Sequence, residues 1–426
     1  MQFTIITFGT WGDVCPYLAV GRALRRRGHG VVIATHEEYE PAVRVEGLDF
    51  ARLHGSHLEV MQSDAGRAWL KSGAKPLQFA LAIREIVEPM AHAVMRASLD
   101  ACRNADALIV SALGLIAGYS VAEKLRIPSV HACLQPISPT EAHPSIVFPD
   151  WSWLPGPLRR RYNLVSHHLS QQALWQVLRP AINRARAKEA DLPPLPLAGP
   201  FGAMRESRSP VIYGYSEHVL PRPADWAPHI QITGFWFLDG VEPWCPPADL
   251  LDFLSSGPMP VYVGFGSMDD YDAGHTARRA IDAALHAGYR VVARIGEQYL
   301  TGTLPPEAYV VASIPHDWIF PRVAAVVHHG GLGTTGAVLR AGTPSVAVPF
   351  FADQPLWGKR VAQLGLGAPP IPRATLAPQA LEQALRGITS DPGMRRRAAE
   401  FAVTIAAEQG AERAAELAVA HAGRRG

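Results

Sequence analysis

Cysteine is scarce, with four in 426 residues: Cys15, Cys102, Cys133 and Cys245, no two of them in a C-x-x-C pair. Such spacing indicates neither a zinc site nor a disulfide framework, and it fits a reducing cytoplasm. An excess of one charge is missing too. Forty Lys and Arg face 38 Asp and Glu, a formal net charge of +2, so nothing marks nucleic acid as a partner. No apolar run approaches the length of a bilayer span. The opening Met1-Gln2-Phe3-Thr4-Ile5-Ile6 lacks a basic region and turns glycine-rich too early for a secretory signal. A cytoplasmic location is expected, with peripheral contact at a membrane surface left open. What is left, 48% hydrophobic and 18% charged, is the composition of a soluble enzyme, and the length suits two domains.

Two common phosphate-binding patterns are also absent. No Lys follows the glycines of Val326-Val327-His328-His329-Gly330-Gly331-Leu332-Gly333-Thr334-Thr335-Gly336, so this is no P-loop. An acidic ribose partner is missing from the place where a dinucleotide fingerprint wants it. What the stretch does have is a β-branched strand that breaks into glycines and opens a helix at Thr334 and Thr335, ending on Gly342 before Pro344. Unpaired N–H groups and the positive helix end favour an anion there, and glycine lets it approach the backbone. His329 and the two threonine hydroxyls add donors, which suits a phosphate; His328 reads as structural. A second strand, Ser345 to Pro349, leads to Asp353 and Gln354 at a strand's C-terminal end. A carboxylate beside an amide suits sugar hydroxyls.

Along the chain, a strand from Phe3 to Phe8 runs into the glycine loop Gly9–Gly12. A helix from about Pro16 to Arg27 follows, then Gly28 and the strand Val31–Ala34. The same order recurs at Val261–Phe265, Gly266-Ser267, a helix from about Gly274 to His286, Gly288 and Arg290–Ala293. Two Rossmann-like domains are expected, each a parallel sheet covered by helices. Strands near Ala107–Val110 and Ser129–Ala132 continue the first sheet, and Pro210–Gly214 closes it. The Pro-, Trp- and Arg-rich insertion from Pro136 to Pro200 either shapes a ligand pocket or is helical packing. The Pro- and Trp-rich segment 220–260 reads as the connection between domains.

The combination His328–Thr335, Ala341-Gly342-Thr343-Pro344 and Pro349-Phe350-Phe351-Ala352-Asp353-Gln354-Pro355 resembles the donor signature of GT-B glycosyltransferases. The nearest branch is the sterol-glucosyltransferase and antibiotic-glycosyltransferase group. Gly9–Pro16, Thr233–Asp239, Val261–Met268 and Ile314–Trp318 extend the resemblance over most of the chain. It implies an α/β protein of the GT-B fold, two Rossmann-like domains facing each other across a cleft. The domains would be 1–217 for the acceptor, 228–405 for the nucleotide sugar, and a helix at 406–426 returning to the first.

The resemblance also implies inverting, metal-independent transfer of a hexose from a UDP- or dTDP-sugar, UDP-glucose first, to a lipophilic hydroxyl, with no cofactor. Donor contacts would come from Gly12, Gly266, Ser267, Ile314, His316, His329, Gly331, Gly333, Thr334, Thr335, Asp353 and Gln354. Trp11, Cys15, Leu113 and His131 would face the acceptor; Trp11 and Cys15 replace the Arg and Gln usual in the sterol-type pattern. Asp13 matches the base of the antibiotic-type branch, and capping a helix is its structural alternative. Trp318 lies in the region under the nucleotide base. Ala337 stands where relatives carry an acidic ribose reader, which leaves UDP and dTDP both open. Asp269-Asp270-Tyr271-Asp272 contains a D-x-D that reads as a helix cap rather than a metal site. The rival readings are a nucleotide-sugar 2-epimerase, which needs no apolar acceptor pocket, and a non-catalytic partner, which needs neither Asp13 nor the Asp353–Gln354 pair.

Overall fold

The structure, a computed structural model, describes residues 1–55, 76–240, 244–266, 271–296, 299 and 305–425, with the side chains of 76–83, 271–273 and 425 outside that description. Ser267, Asp269 and Asp270, all singled out above, lie outside the described residues. The chain divides into two compact units, one of residues 1–239 with 409–426 and the other of residues 240–408.

The first unit is built on a seven-stranded parallel sheet. Its strands are β1 (Gln2–Ile6), β2 (Gly30–Thr35), β3 (Asp49–Arg52), β4 (Ala107–Val110), β5 (Ser129–Cys133), β6 (Val211–Tyr213) and β7 (Ile230–Ile232), in the order β3-β2-β1-β4-β5-β6-β7. The central strand β4 is apolar along its whole length because helices cover both faces, and every one of its residues is buried. Val211–Tyr213 does not close this sheet, since β7 pairs beyond it through Tyr213 and Ile232. Segment 220–239 therefore belongs to the first unit rather than to a connection. Trp226 stacks on Tyr213 at 5.0 Å, and the Trp236 ring meets Tyr17 edge-on at 5.5 Å.

The second unit has five parallel strands: β8 (Val261–Gly264), β9 (Val291–Arg294), β10 (Ala308–Val311), β11 (Ala325–His328) and β12 (Ser345–Ala347), in the order β10-β9-β8-β11-β12. Each sheet reverses direction of growth between its first and fourth strands, β1 and β4 in one, β8 and β11 in the other. Loops at the C-terminal ends of those strands diverge and leave a crevice, the usual ligand position of doubly wound sheets. In the first unit that position holds Gly9–Asp13 and Leu113. Gly266 and His329–Thr334 hold it in the second. Gly28 (φ +78°) and Gly288 (φ +87°) end the helix that follows the first strand of each unit in the left-handed region, the same device used twice.

Candidate donor and acceptor sites

In the second unit, β11 ends at His328 and the chain turns at Gly330, whose φ of +85° suits glycine. A side chain there would also press on the backbone, since a Cβ would sit 2.9 Å from the Gln354 carbonyl. His328 is buried and accepts the Gly330 N–H on Nδ1 at 3.2 Å, which fixes the turn and confirms its structural place. The helix then starts at Leu332, not at Thr334, because Gly331 is already extended and acts as its N-cap. Thr335 N–H makes a helical bond to Gly331 O at 2.9 Å. The N–H groups of Leu332, Gly333 and Thr334 precede it in the first turn, where an anion finds open donors.

That shift corrects the expectation for Thr335. Its side chain is fully buried on the core side of the helix, so of the two hydroxyls only that of half-buried Thr334 can face a ligand. His329 is wedged between two glycines. A Cβ on Gly331 would lie 2.2 Å from its Nε2, and one on Gly266 3.1 Å from its Cε1. Burial lowers its pKa to about 4, with His316 adding to the effect, so the ring is neutral near pH 7. Its Nδ1 is buried without a hydrogen-bond partner in the protein. A neutral imidazole between glycines, at a helix start, offers one N–H to an incoming oxygen.

Asp353 stands at the N-cap position of the helix Gln354–Gln363, and its Oδ2 accepts the Trp357 indole N–H at 2.6 Å. Gln354 Oε1 accepts the N–H groups of Phe350 (2.7 Å) and Phe351 (3.2 Å). Its amide is therefore not free to read both ways: the oxygen is committed and the NH₂ is left to donate. Ala352, just before the pair, has φ +56°, a strained region for a residue with a Cβ. Ile314 is a correction. Its side chain belongs to the core with Tyr262, Ile319 and Phe320. His316 stacks on Phe320 at 4.5 Å, its pKa lowered to about 4, chiefly by burial. Trp318 packs edge-on against Trp244 at 4.9 Å under the Arg322 guanidinium.

In the first unit, the first helix begins at Trp11 rather than Pro16, so Gly12, Asp13 and Cys15 lie within it and not in a loop. Thr10 is the N-cap, and Asp13 Oδ2 accepts both its N–H (2.9 Å) and its hydroxyl (3.0 Å). The capping role is thus real. Partial burial raises the Asp13 pKa, and the two bonds from Thr10 oppose that rise. Gly9, at φ +115°, has no room for a Cβ, which would come within 2.5 Å of Asp13 Oδ2.

Beside this loop stands a residue that sequence reasoning missed. His36 follows β2; its Nδ1 donates to Gly55 O at 2.7 Å, which leaves Nε2 to accept the Gly9 N–H at 3.4 Å. Its position at the end of a strand adjoining β1 was the available signal. Trp11 is 41% exposed and tilts against Tyr39 at 6.0 Å, and Leu113 is 68% exposed, so both can meet an apolar ligand. Burial pushes the Cys15 thiol up to about 12, so it contributes as an apolar group. His131 is the clearest correction. It is buried in the middle of β5, its pKa lowered to about 4 by burial and by His421 and His229, so it belongs to the core rather than to an acceptor-facing surface.

Comparisons with known proteins bear on the family and the fold. Residues 3–144 match the family model of the glycosyltransferase family 28 N-terminal domain, and residues 278–419 that of the erythromycin biosynthesis protein CIII-like C-terminal domain. A sterol 3-beta-glucosyltransferase of Pichia angusta is 34% identical over 97% of this chain and 33% of its own length. One from Aspergillus oryzae is 34% identical over 97% of this chain and 30% of its own length. The chain thus spans about a third of these curated relatives. Among solved structures, the glycosyltransferase of kitacinnamycin superposes with a TM-score of 0.69 at 20% identity, covering 99% of this chain and 98% of that one. The glycosyltransferase VinC in complex with DTDP gives 0.68 at 18% identity over the whole of both chains.

Proposed function

The chain belongs to the GT-B glycosyltransferases, and on that footing we propose that it moves a hexose, glucose first, from a UDP- or dTDP-sugar to the hydroxyl of a lipophilic acceptor such as a sterol or polyketide, with inversion. The observation that carries the donor half is His329, held between Gly266 and Gly331 beside the open first turn of helix Leu332–Ala341. Diphosphate is the leaving group. The positive helix end, the N–H groups of Gly333 and Thr334 and the His329 N–H stabilise the charge that grows on it, without a metal. Asp353 accepts from one sugar hydroxyl and the Gln354 NH₂ donates to another.

The first unit supplies the acceptor side. Asp13 takes the proton as the acceptor oxygen bonds to the anomeric carbon, and its raised pKa brings it closer to that task than an ordinary aspartate. Trp11, Cys15 and Leu113 form the apolar approach. A thermal-shift panel of UDP-, dTDP- and GDP-sugars tests the donor assignment, since a ligand of the folded state raises the melting point. Glycoside formation with and without a lipophilic alcohol tests the transfer. Donor turnover that ignores the alcohol would point instead to a 2-epimerase or hydrolase, and no donor binding at all to a non-catalytic partner.

A further inference from the structure

Helix Gly156–Ala185 of the first unit is inside out over its first half. Asn163, Ser166 and His167 are its buried residues there. Each is satisfied by a bond to the interior. Asn163 Nδ2 donates to Glu141 O (2.8 Å), Ser166 Oγ accepts Ser145 N–H (2.9 Å), and His167 Nε2 donates to His143 O (3.1 Å). Leu158 (56%), Val165 (50%) and Leu169 (53%) are exposed instead. With Tyr162 they recur at i, i+4, i+7 and i+11, a single stripe set about 120° around the helix from the buried face. A helix at a water-facing surface shows the reverse polarity.

The stripe continues into the preceding turn. Trp151 stacks on Tyr162 at 4.4 Å, and Trp153 is 75% exposed beside it. Arg159, Arg160 and Arg161, all exposed, encircle the first turn. From 150 to 170 the charged residues are these three arginines and Asp150.

We propose that this face docks on an anionic lipid bilayer. Leucine and valine side chains enter the boundary of the acyl region, the Trp and Tyr rings take the interface, and the arginines meet lipid phosphates. Charge decides against a second copy of the chain. A symmetric contact along the stripe would gather six arginines against two aspartates around one apolar seam. The inference goes beyond the donor and acceptor assignments and depends on neither.

The test is flotation of the full chain with phosphatidylcholine vesicles, with and without phosphatidylglycerol. Partition into the phosphatidylglycerol vesicles is expected, weakened by molar salt as the Debye length shrinks from about 10 to about 3 Å. Each arginine is worth about fivefold near such a surface, so replacing Arg159, Arg160 and Arg161 together by Gln should lower partition about a hundredfold. Leu158→Asp should lower it as well. Since these side chains are exposed, both variants should melt like the parent protein. Partition into neither vesicle, or partition unmoved by the two variants, overturns the proposal. So does a concentration-dependent dimer in sedimentation velocity that Leu158→Asp abolishes while vesicles are ignored.

Discussion

His329 touches glycines on two sides, and its partly buried ring is neither core nor free surface. His329→Ala therefore leaves a gap at a ligand site and should fold normally. Losing one hydrogen bond to a charged oxygen costs roughly 2 kcal/mol, so affinity for a nucleoside diphosphate should fall about thirtyfold in calorimetry. Unchanged affinity would remove His329 from the site. Asp13 does two jobs at once, and Asp13→Asn separates them. The Asn oxygen can still accept the Thr10 N–H and hydroxyl, so stability should change by less than about 1 kcal/mol. It cannot take a proton, so turnover should drop by roughly a hundredfold or more while donor affinity stays put. Because burial raises the Asp13 pKa, the acid limb of the rate profile should sit above the usual aspartate range and vanish in this variant. Near-normal turnover with a flat limb would leave Asp13 as a cap and nothing more.

Secondary-structure elements were legible where one physical signal stood alone. β4 and β5 lie within a residue of where their apolar runs place them, because both faces of a parallel sheet are buried. Helix starts were misjudged at both sites for one reason. Pro16 and the Thr334-Thr335 pair looked like beginnings, yet the extended residues Thr10 and Gly331 were the caps. β7 was missed because three residues among prolines carry no period, and His36 because its partner Gly9 is 27 residues away. The last helix, Gly410–Ala422, packs on the first, where Arg27 pairs with Glu412 and with Glu416 (2.8 Å). Its first residue lies against backbone: a Cβ on Gly410 would come 2.3 Å from Phe235 O. Gly410→Ala should therefore push the helix off its seat and cost the first unit about 1–3 kcal/mol in urea unfolding. Donor binding in the second unit should be unaffected. Full stability in this variant would show that the helix can shift without loss.

Taken over the whole chain, histidine burial sets the response to acid. His131, His167 and His328 are at least nine-tenths buried, with pKa values lowered to about 4, 4 and 3, chiefly by burial. The more exposed His316 and His329 are lowered to about 4 in the same sense. In the unfolded chain each ring takes a proton near pH 6.5; in the folded protein none does until pH approaches 4. Between those values the unfolded state binds more protons, so stability present above pH 6.5 is lost as pH falls. An upper bound is roughly 3 kcal/mol each for His131 and His167 and roughly 5 kcal/mol for His328. Asp13, with a raised pKa, acts in the opposite direction, but it is one carboxyl and its window begins at the ordinary aspartate value of 3.8. The lowered carboxylates Asp225 and Asp391 titrate below that same value, so from pH 6.5 to 5 the several histidines outweigh the single Asp13 carboxyl. Both units carry such rings, His131 and His167 in the first, His328 and His329 in the second. Calorimetric melting at pH 7, 6 and 5 should show each unit's transition moving down with acid. His328→Gln, which keeps an acceptor for the Gly330 N–H but cannot titrate, should flatten the decline of the second unit alone. Melting points that hold steady from pH 7 to 5 would mean that these rings reach solvent in the folded state, against the burial on which the neutral His329 site also depends.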